Sequence, residues 1–433
     1  MSRLSISLAV LLFLHALAIP LALHVFAGTP RHLTIVGSAE QFASRSQSDD
    51  SWRPMRAAKS YVLQSPGHDI YEEVFFHRHL KFQYPPTALL FTGDTSSDRL
   101  NAISWLAVWI TAGLAAALFL VSAIDRKLVT HDPRDRILAA LAAFGLSLTF
   151  YPLLKGYTLG QIQVWVDAVF ALGACAWWAG RRFVAGLAVG VACLIKPTLA
   201  PLALWAVLRR EWRFAAGIAV VAAGGLAIAI ASFGLSSHLS YLRVLSFIAA
   251  RGEAYYPNQS VNGLLNRWFQ NGSILEFDDF AFSPYHPWVA WGTAITTVAL
   301  LAAACSLPFV RRALDHRLEF AIAAVTATIA SPIVWEHHYG IVLPILAMAM
   351  PLVVAASPAG RATPFLLALV FVLIGQYFEA TQRFAYTSWN ALESYTLFGA
   401  LLFLSLLYGS LVPARETSGV TWTRMLPTAD PLR

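Results

Sequence analysis

The sequence predicts an all-α polytopic membrane protein, with about twelve transmembrane helices and its chemistry in the first outer loop. Three observations carry that expectation. Hydrophobic residues make up 57% of the 433 and charged residues only 13%, about half the charge a soluble domain uses to cover its surface. Apolar runs of roughly 20 residues, the length that crosses a bilayer, recur along the chain. Basic residues collect between alternate runs and the unusual polar residues between the others, the asymmetry of a positive-inside protein.

The same composition excludes several classes. The net charge of +7 reads as that positive-inside bias, since a nucleic-acid partner would require a basic cluster on a soluble face. Cys175, Cys193 and Cys305 all fall in apolar runs and read as packing residues, with no thiol site or metal cage. The 14 Trp, 14 Tyr and 27 Phe suit interfacial belts.

The elements follow in order. Leu4–Phe26 exceeds the apolar core of about 7–15 residues typical of a signal peptide and lacks a clean small-x-small cleavage site. It reads as an uncleaved first span. Residues 27–100 form an outer loop too long to be without a role. Trp52–Leu63 makes a short helix in it, and Tyr84-Pro85-Pro86 a stiff turn. Spans are expected at Asn101–Ile124, Ile137–Leu154 and Ile162–Ala179.

Phe183–Leu208 is apolar except for Lys196-Pro197 at its middle, and Arg181-Arg182 and Arg209-Arg210 bracket it. One long span would put those basic pairs on opposite sides of the membrane. Two short helices turning at Lys196-Pro197 put them on the same side, which obeys the positive-inside rule and uses the proline as the break. Phe214–Phe233 follows, then a second outer loop over 234–286. The remaining spans are Pro287–Pro308, Leu318–Ile333, Tyr339–Ala355, Ala362–Tyr377 and Tyr395–Val412.

Residues 1–412 then form one transmembrane domain, and 413–433 a cytoplasmic tail. The N-terminus, Arg126-Lys127, both basic pairs, Arg311-Arg312, Arg361 and the tail share the cytoplasmic side. The Asp50 segment, Lys155–Gln161, Lys196-Pro197, 234–286, Trp335–His338 and Glu379–Glu393 share the other. No internal repeat of the kind transporters use is visible.

Several residues on that second side carry candidate chemistry. Asp49 and Asp50 precede an aromatic and basic helix. They read either as an N-cap pair or as a carboxylate that takes a proton from a hydroxyl, with partial burial raising its basicity. Lys196 is expensive in a membrane, roughly 2.5–3.5 kcal/mol at mid-depth. It either snorkels to the surface or meets an anion at the helix break, a lipid phosphate being the obvious one. In Ser331-Pro332-Ile333-Val334-Trp335-Glu336-His337-His338-Tyr339 the adjacent histidines do not face one point, and no further ligand spacing completes a zinc site. The group reads as acceptor-orienting or phosphate-contacting, or as a plain interfacial turn.

Gly156–Gln161 and Tyr256-Pro257-Asn258-Gln259-Ser260 offer amides and hydroxyls suited to sugar hydroxyls; the latter also fits the glycosylation acceptor pattern. Asp167 lies inside a span and is a functional suspect on that ground. Arg53, Arg56 and Lys59 read as a solvated helix face.

Taken together these residues resemble glycosyltransferase family 87, over most of the chain from Asp50 to about Tyr339. Asp50 stands seven residues ahead of Ala57-Ala58, and that spacing selects it over Asp49. Phe82-Gln83-Tyr84-Pro85-Pro86, Gly160-Gln161, the Gly-rich run from Gly186 to Lys196-Pro197, Asn258-Gln259-Ser260 and Ser331-Pro332-x-x-Trp335-x-His337-His338 follow in the family's order. Departures are Ser51 after Asp50, Pro54-Met55, and Pro197-Thr198 directly after the lysine.

The resemblance implies a GT-C-type membrane enzyme. It would move a hexosyl, specifically mannosyl, residue from a polyprenyl-phosphate donor to a lipid or glycan acceptor on the outer face of the cytoplasmic membrane. Asp50 is then the expected catalytic base, and Lys196, His337 and His338 the donor-phosphate contacts. Tyr84, Gln161, Asn258, Gln259, Trp335 and Glu336 are the expected substrate contacts. No metal and no cofactor is expected, and the partners are the lipid-linked donor, the acceptor and membrane lipid, with no nucleic acid. The rival readings are a transporter or flippase of a lipid-linked sugar, which would carry more buried polar residues and repeat symmetry, and a non-catalytic scaffold.

Overall fold

The computed structural model describes residues 1–93, 96–310 and 315–411. Arg311-Arg312, Val412 at the end of the last expected span, and the 413–433 tail lie outside them. Among the described residues the chain is helical throughout, with one isolated antiparallel bridge between Asn258 and Trp335.

Uninterrupted apolar runs become long helices. Arg3–Ala27, Ser97–Asp125, Trp212–Phe233, Pro287–Leu307, Glu336–Ala356 and Asn390–Ser410 are six that are long and apolar enough to cross a membrane. Pro133–Leu148 and Tyr151–Thr158 meet at a 45° bend and make a seventh if taken as one broken span. Ile137–Leu154 is therefore not straight: Phe150 adopts extended backbone, and Pro152 opens the second helix, where its missing N–H costs nothing. The gap between six or seven and the expected twelve or so lies in short helices. Gln163–Trp178, Arg182–Ile195, Pro201–Arg209, His316–Ile329 and Thr363–Gly375 each fall below the roughly 20 residues a single crossing requires.

Position in the bundle follows from apolar coverage. In Glu336–Ala356, 78% of the most apolar window is buried, against 17% in Arg3–Ala27 and in Pro287–Leu307. The first is central. The others turn side chains such as Leu17, Leu21, Ile295 and Val298 outward, as perimeter helices in lipid do.

The Lys196-Pro197 segment is broken, as its sequence leads one to expect. Arg182–Ile195 ends at Lys196, which has extended backbone, and Pro201–Arg209 runs back after a short turn at Pro197–Leu199. Arg182 Nε stands 3.7 Å from Glu211 Oε2, and Arg209 Nε 2.9 Å from Glu319 Oε2. The two basic ends of the hairpin therefore meet. Arg126 with Asp315 at 2.8 Å and Arg317 with Asp125 at 2.9 Å bind further helix ends together, and Trp177, stacked on Phe320, lies against Trp205 and Phe214 beneath them.

The first polar segment is more ordered than a loop with one helix. It holds Ile35–Ala43 and Trp52–Gln64, with helical turns at Glu72–His77 and Pro86–Phe91. Trp52, Met55, Ala58 and Val62 make the buried stripe of the second helix, the three- and four-residue spacing of an amphipathic helix.

Arg182–Ile195 crosses Trp212–Phe233 at glycines: a Cβ built on Gly186 would lie 2.1 Å from the Phe214 carbonyl oxygen, the close approach small residues give membrane helices. Gly186→Ala is expected to part the two helices and destabilise the protein by about 1–3 kcal/mol, read as a lowered thermal midpoint in detergent. An unchanged midpoint would show that the crossing has slack.

Candidate active site

The loop bearing Asp50 is strapped to the turn after Tyr151–Thr158. Ser48 N donates to Thr158 O at 2.9 Å and Asp50 N to Leu159 O at 3.1 Å. Gly160 makes this fit possible. It has φ +64°, and a Cβ there would lie 1.8 Å from the Ser48 carbonyl oxygen. Trp52 anchors the following helix against Trp165, with ring centroids 5.3 Å apart.

Neither aspartate caps that helix. Ser51 is the N-cap residue, and no side chain makes the capping bond. Asp49 is exposed and accepts from Arg56 Nη2 at 2.5 Å. Asp50 instead accepts from Gln161 Nε2 at 2.5 Å. The orientation of that amide is fixed by its other end. Ser51 Oγ, which accepts from Ile162 N at 3.1 Å, donates to Gln161 Oε1 at 2.6 Å. Tyr84 OH is 2.6 Å from Ser51 Oγ and 3.2 Å from the same Oε1. With its oxygen taken by hydroxyls, Gln161 must turn its N–H toward the carboxylate.

The Asp50 carboxyl is reachable from solvent yet crowded by protein. That desolvation raises it above the ordinary carboxylate range, against the Gln161 hydrogen bond and the charges of Lys196 and Arg53, while Asp279 adds to the rise.

Lys196 comes to the same place from the hairpin break. Its Nζ donates to His338 Nε2 at 2.9 Å and lies 5.4 Å from the centre of the Tyr84 ring, within cation–π range. Because Nε2 accepts, Nδ1 of His338 carries the proton; that buried nitrogen and His337 Nε2 have no hydrogen-bond partner among the described residues. The histidine rings stand edge to face at 4.7 Å, and only His338 meets the lysine. Asp50, Gln161, Tyr84, Lys196 and His338 are thus one connected group.

The other expected contacts lie beside it. Glu336 is buried and accepts from Tyr395 OH at 3.3 Å, with the Tyr151 hydroxyl and Lys155 among the groups that favour its charge. Trp335 is half-buried against Phe277 and Tyr255. Asn258 and Gln259 lie deeper. Both are fully buried, and their amides hold backbone. Asn258 accepts from Val334 N at 3.0 Å and donates to Glu253 O at 2.9 Å. Gln259 donates both N–H groups, to Tyr256 O and Glu393 O, and accepts from Thr396 N. With those groups spent on peptide, the pair positions the histidine turn, and a fully buried Asn258 is no glycan acceptor.

The basic residues after Asp50 also face elsewhere: Arg53 to Asp279, Arg56 to Asp49 and Lys59 to the Thr92 carbonyl. Among the described residues no group of three or more His, Cys, Asp or Glu side chains could hold a metal ion. The three cysteines are free thiols, each partly buried.

Sequence reasoning missed four participants. Ser51 was seen as a departure from the family pattern, yet it orients Gln161. Tyr151 and Tyr395 close on Glu336 from remote helices. Arg267 is fully buried and donates to the carbonyls of Ala254, Tyr255, Tyr256 and Asn258 at 3.1–3.4 Å. Nothing in its local sequence separates it from a surface arginine.

A curated relative from Mycolicibacterium smegmatis, a polyprenol-phosphate-mannose-dependent alpha-(1-2)-phosphatidylinositol pentamannoside mannosyltransferase, is 26% identical over 294 residues, covering 66% of this chain and 65% of the relative. The protein of the same name from Mycobacterium tuberculosis is 27% identical over 275 residues, covering 62% and 58%. The chain thus spans less than two thirds of the length of either relative. No solved structure matches it. The model of glycosyltransferase family 87 matches residues 82–332, a stretch that holds Tyr84, Gln161, Lys196, Asn258 and Gln259 and leaves Asp50, Trp335, Glu336, His337 and His338 outside. That match takes in more than half of the chain, and the protein belongs to glycosyltransferase family 87.

Proposed function

We propose that this protein transfers a hexosyl residue, mannosyl by analogy with the relatives' names, from a polyprenyl-phosphate donor to a lipid or glycan acceptor. The reaction takes place at the outer face of the cytoplasmic membrane, which the chain crosses many times. One observation carries the reading: a hydrogen-bonded, reachable carboxylate and an intramembrane ammonium are joined through one network, Asp50–Gln161–Tyr84 on one side and Lys196–His338 on the other. A base and a cation joined in one network are what attack by a hydroxyl on a sugar phosphate requires.

In this mechanism the donor enters laterally from lipid with its phosphate at Lys196. The acceptor hydroxyl gives its proton to Asp50 as its oxygen bonds to the anomeric carbon and the bond to the lipid phosphate breaks. The phosphate charge that develops is met by the Lys196 ammonium and the Nδ1–H side of His338, with His337 beside it. Glu336, with its tyrosines, and Trp335 border the acceptor side. The Lys196 ammonium, helped by these imidazole N–H groups, does the work that a metal does for a nucleotide diphosphate leaving group, so the reaction needs no divalent ion. Turnover is expected to persist in excess chelator; a loss restored by a divalent ion would overturn that.

Asp50→Asn should lower kcat by about 10²- to 10⁴-fold while the membrane fraction still retains radiolabelled polyprenyl-phosphate-mannose. Undiminished transfer by this variant would remove Asp50 from the mechanism.

The pH dependence follows from the sign of the Asp50 shift. A base works ionised, so activity is lost as pH falls through a value above the ordinary carboxylate range. Gln161 donates to the ionised form and holds that value down. Gln161→Leu should therefore move the acidic limb of the rate profile to higher pH, by about one unit. A limb that stays or moves the other way would show that the amide does not govern the base.

A further inference from the structure

The helix Leu235–Arg251 begins one residue after the Trp212–Phe233 span ends, across a break at Gly234 with φ +78°. It therefore starts at the edge of the bilayer. Its polarity is the reverse of what water selects, since a helix on an aqueous surface turns its apolar stripe to the core and its polar residues outward. Here Ser237, Ser240 and Tyr241 are buried. Ser237 Oγ accepts from Ile70 N at 3.3 Å, Ser240 Oγ donates to Asp69, and Tyr241 OH donates to the Gln83 carbonyl at 3.4 Å. The outward stripe is Leu235, Leu239 and Leu242, spaced by four and three residues and each 55–58% exposed.

Two arginines border that stripe. Arg243 and Arg251 line an open cleft of about 520 Å³ with Ser246 and the rings of Phe76 and Phe247, and Leu242 belongs to both the stripe and the cleft. The Arg251 guanidinium lies 4.1 Å from the centre of the Phe247 ring, and that of Arg243 lies 5.3 Å from the Phe76 ring, both within cation–π range. Glu72 pairs with Arg243, while among the described residues Arg251 contacts Phe247 and no carboxylate. The cleft thus keeps positive charge beyond what Glu72 offsets.

Exposed leucines beside a guanidinium without a counter-charge call for an acyl surface and an anion together, and the headgroup region of a bilayer supplies both. We propose that Leu235–Arg251 lies along the membrane interface and forms a binding site for an anionic phospholipid. Leu235, Leu239 and Leu242 rest on acyl chains, and the lipid phosphate sits between Arg243, Ser246 and Arg251. The leaflet is the one on the side of the Asp50 loop, because Ser237 and Ser240 join the helix to Ile70 and Asp69 of that same segment. Through Gly252 the helix leads into residues 257–259, which tie the histidine turn, so its seat on lipid anchors that turn relative to the bilayer. The inference needs only that the chain is embedded in a membrane, and it stands whatever sugar is transferred.

The full chain is reconstituted in nanodiscs of phosphatidylcholine and phosphatidylglycerol, the latter carrying a diazirine in its acyl chain, and photo-adducts are mapped by mass spectrometry. Adducts are expected on the Leu235–Leu242 stripe as well as on Ile295 and Val298 of the perimeter helix. Adducts on the perimeter helix alone overturn the proposal. So does a dimer in native mass spectra that Leu239→Arg splits, which would assign the face to a second copy of the chain.

The headgroup seat is read separately, as phosphatidylglycerol retained against phosphatidylcholine in native mass spectra. Arg243→Gln and Arg251→Gln should each weaken that retention about fivefold. Glu72→Gln should strengthen it, because a competing carboxylate is gone. Equal retention of the two lipids by the unaltered protein, or undiminished retention in Arg251→Gln, overturns the phosphate site. A fall in Glu72→Gln does the same, since it would mark Arg243 and Glu72 as a purely structural pair.

Discussion

A charged amine among apolar helices sets the terms on which this molecule is built. Lys196 in a continuous helix facing lipid would cost roughly 2.5–3.5 kcal/mol at mid-depth, and the chain avoids that by not being continuous there. Pro197 ends one short helix and starts the return, and the extended backbone of Lys196 swings its side chain inward. Once inside, the ammonium must find partners. His338 supplies a lone pair at 2.9 Å and Tyr84 a ring face at 5.4 Å. Each partner is itself held by something further away in sequence, so the requirement for compensation spreads outward from one side chain.

The spread can be followed through backbone. His338 rides on a turn whose flanks are tied to 257–259. Gln259 N donates to Val334 O at 2.7 Å, and Glu336 N to Pro257 O at 3.0 Å. The Asn258 and Gln259 amides fill the gaps between these bonds, and the Arg267 guanidinium gathers four carbonyls behind them. The backbone of this turn is tied on both flanks. Its imidazoles present a fixed field, the condition under which electrostatic stabilisation of a developing charge is most effective.

How much of this was legible depended on whether the signal was local. The hairpin could be read because two basic pairs and one Lys-Pro sit within a single apolar run. The amphipathic helix after Ser51 showed its spacing directly. The number of crossings was not legible, because hydropathy finds apolar helices and says little about whether a helix of 14 residues such as Arg182–Ile195 crosses or turns back. Asn258 and Gln259 were recognised as notable for residue type, yet residue type cannot say whether an amide faces a cavity or a peptide. Arg267, Tyr151 and Tyr395 were invisible for the same reason: their partners are far away in sequence. Asp49 and Asp50 were separable by spacing to Ala57-Ala58, and the geometry adds the physical difference, since one pairs with an exposed arginine and the other with a buried amide.

Gln161 is where the two halves of the proposed chemistry become one. Its N–H groups serve the carboxylate that would receive a proton; its carbonyl serves Ser51 and Tyr84, and the Tyr84 ring lies near the ammonium that would meet the departing phosphate. Crowding around Asp50 favours its neutral form and the amide opposes that, with a balance that leaves the carboxylate more basic than a free one. The same amide cannot rotate to relax either side, because turning it would set its N–H groups against the Ser51 hydroxyl and the carbonyl oxygen against a carboxylate. Base strength and the placement of the aromatic ring beside Lys196 are therefore fixed by a single side chain, and a substitution there alters both sides of the transfer together.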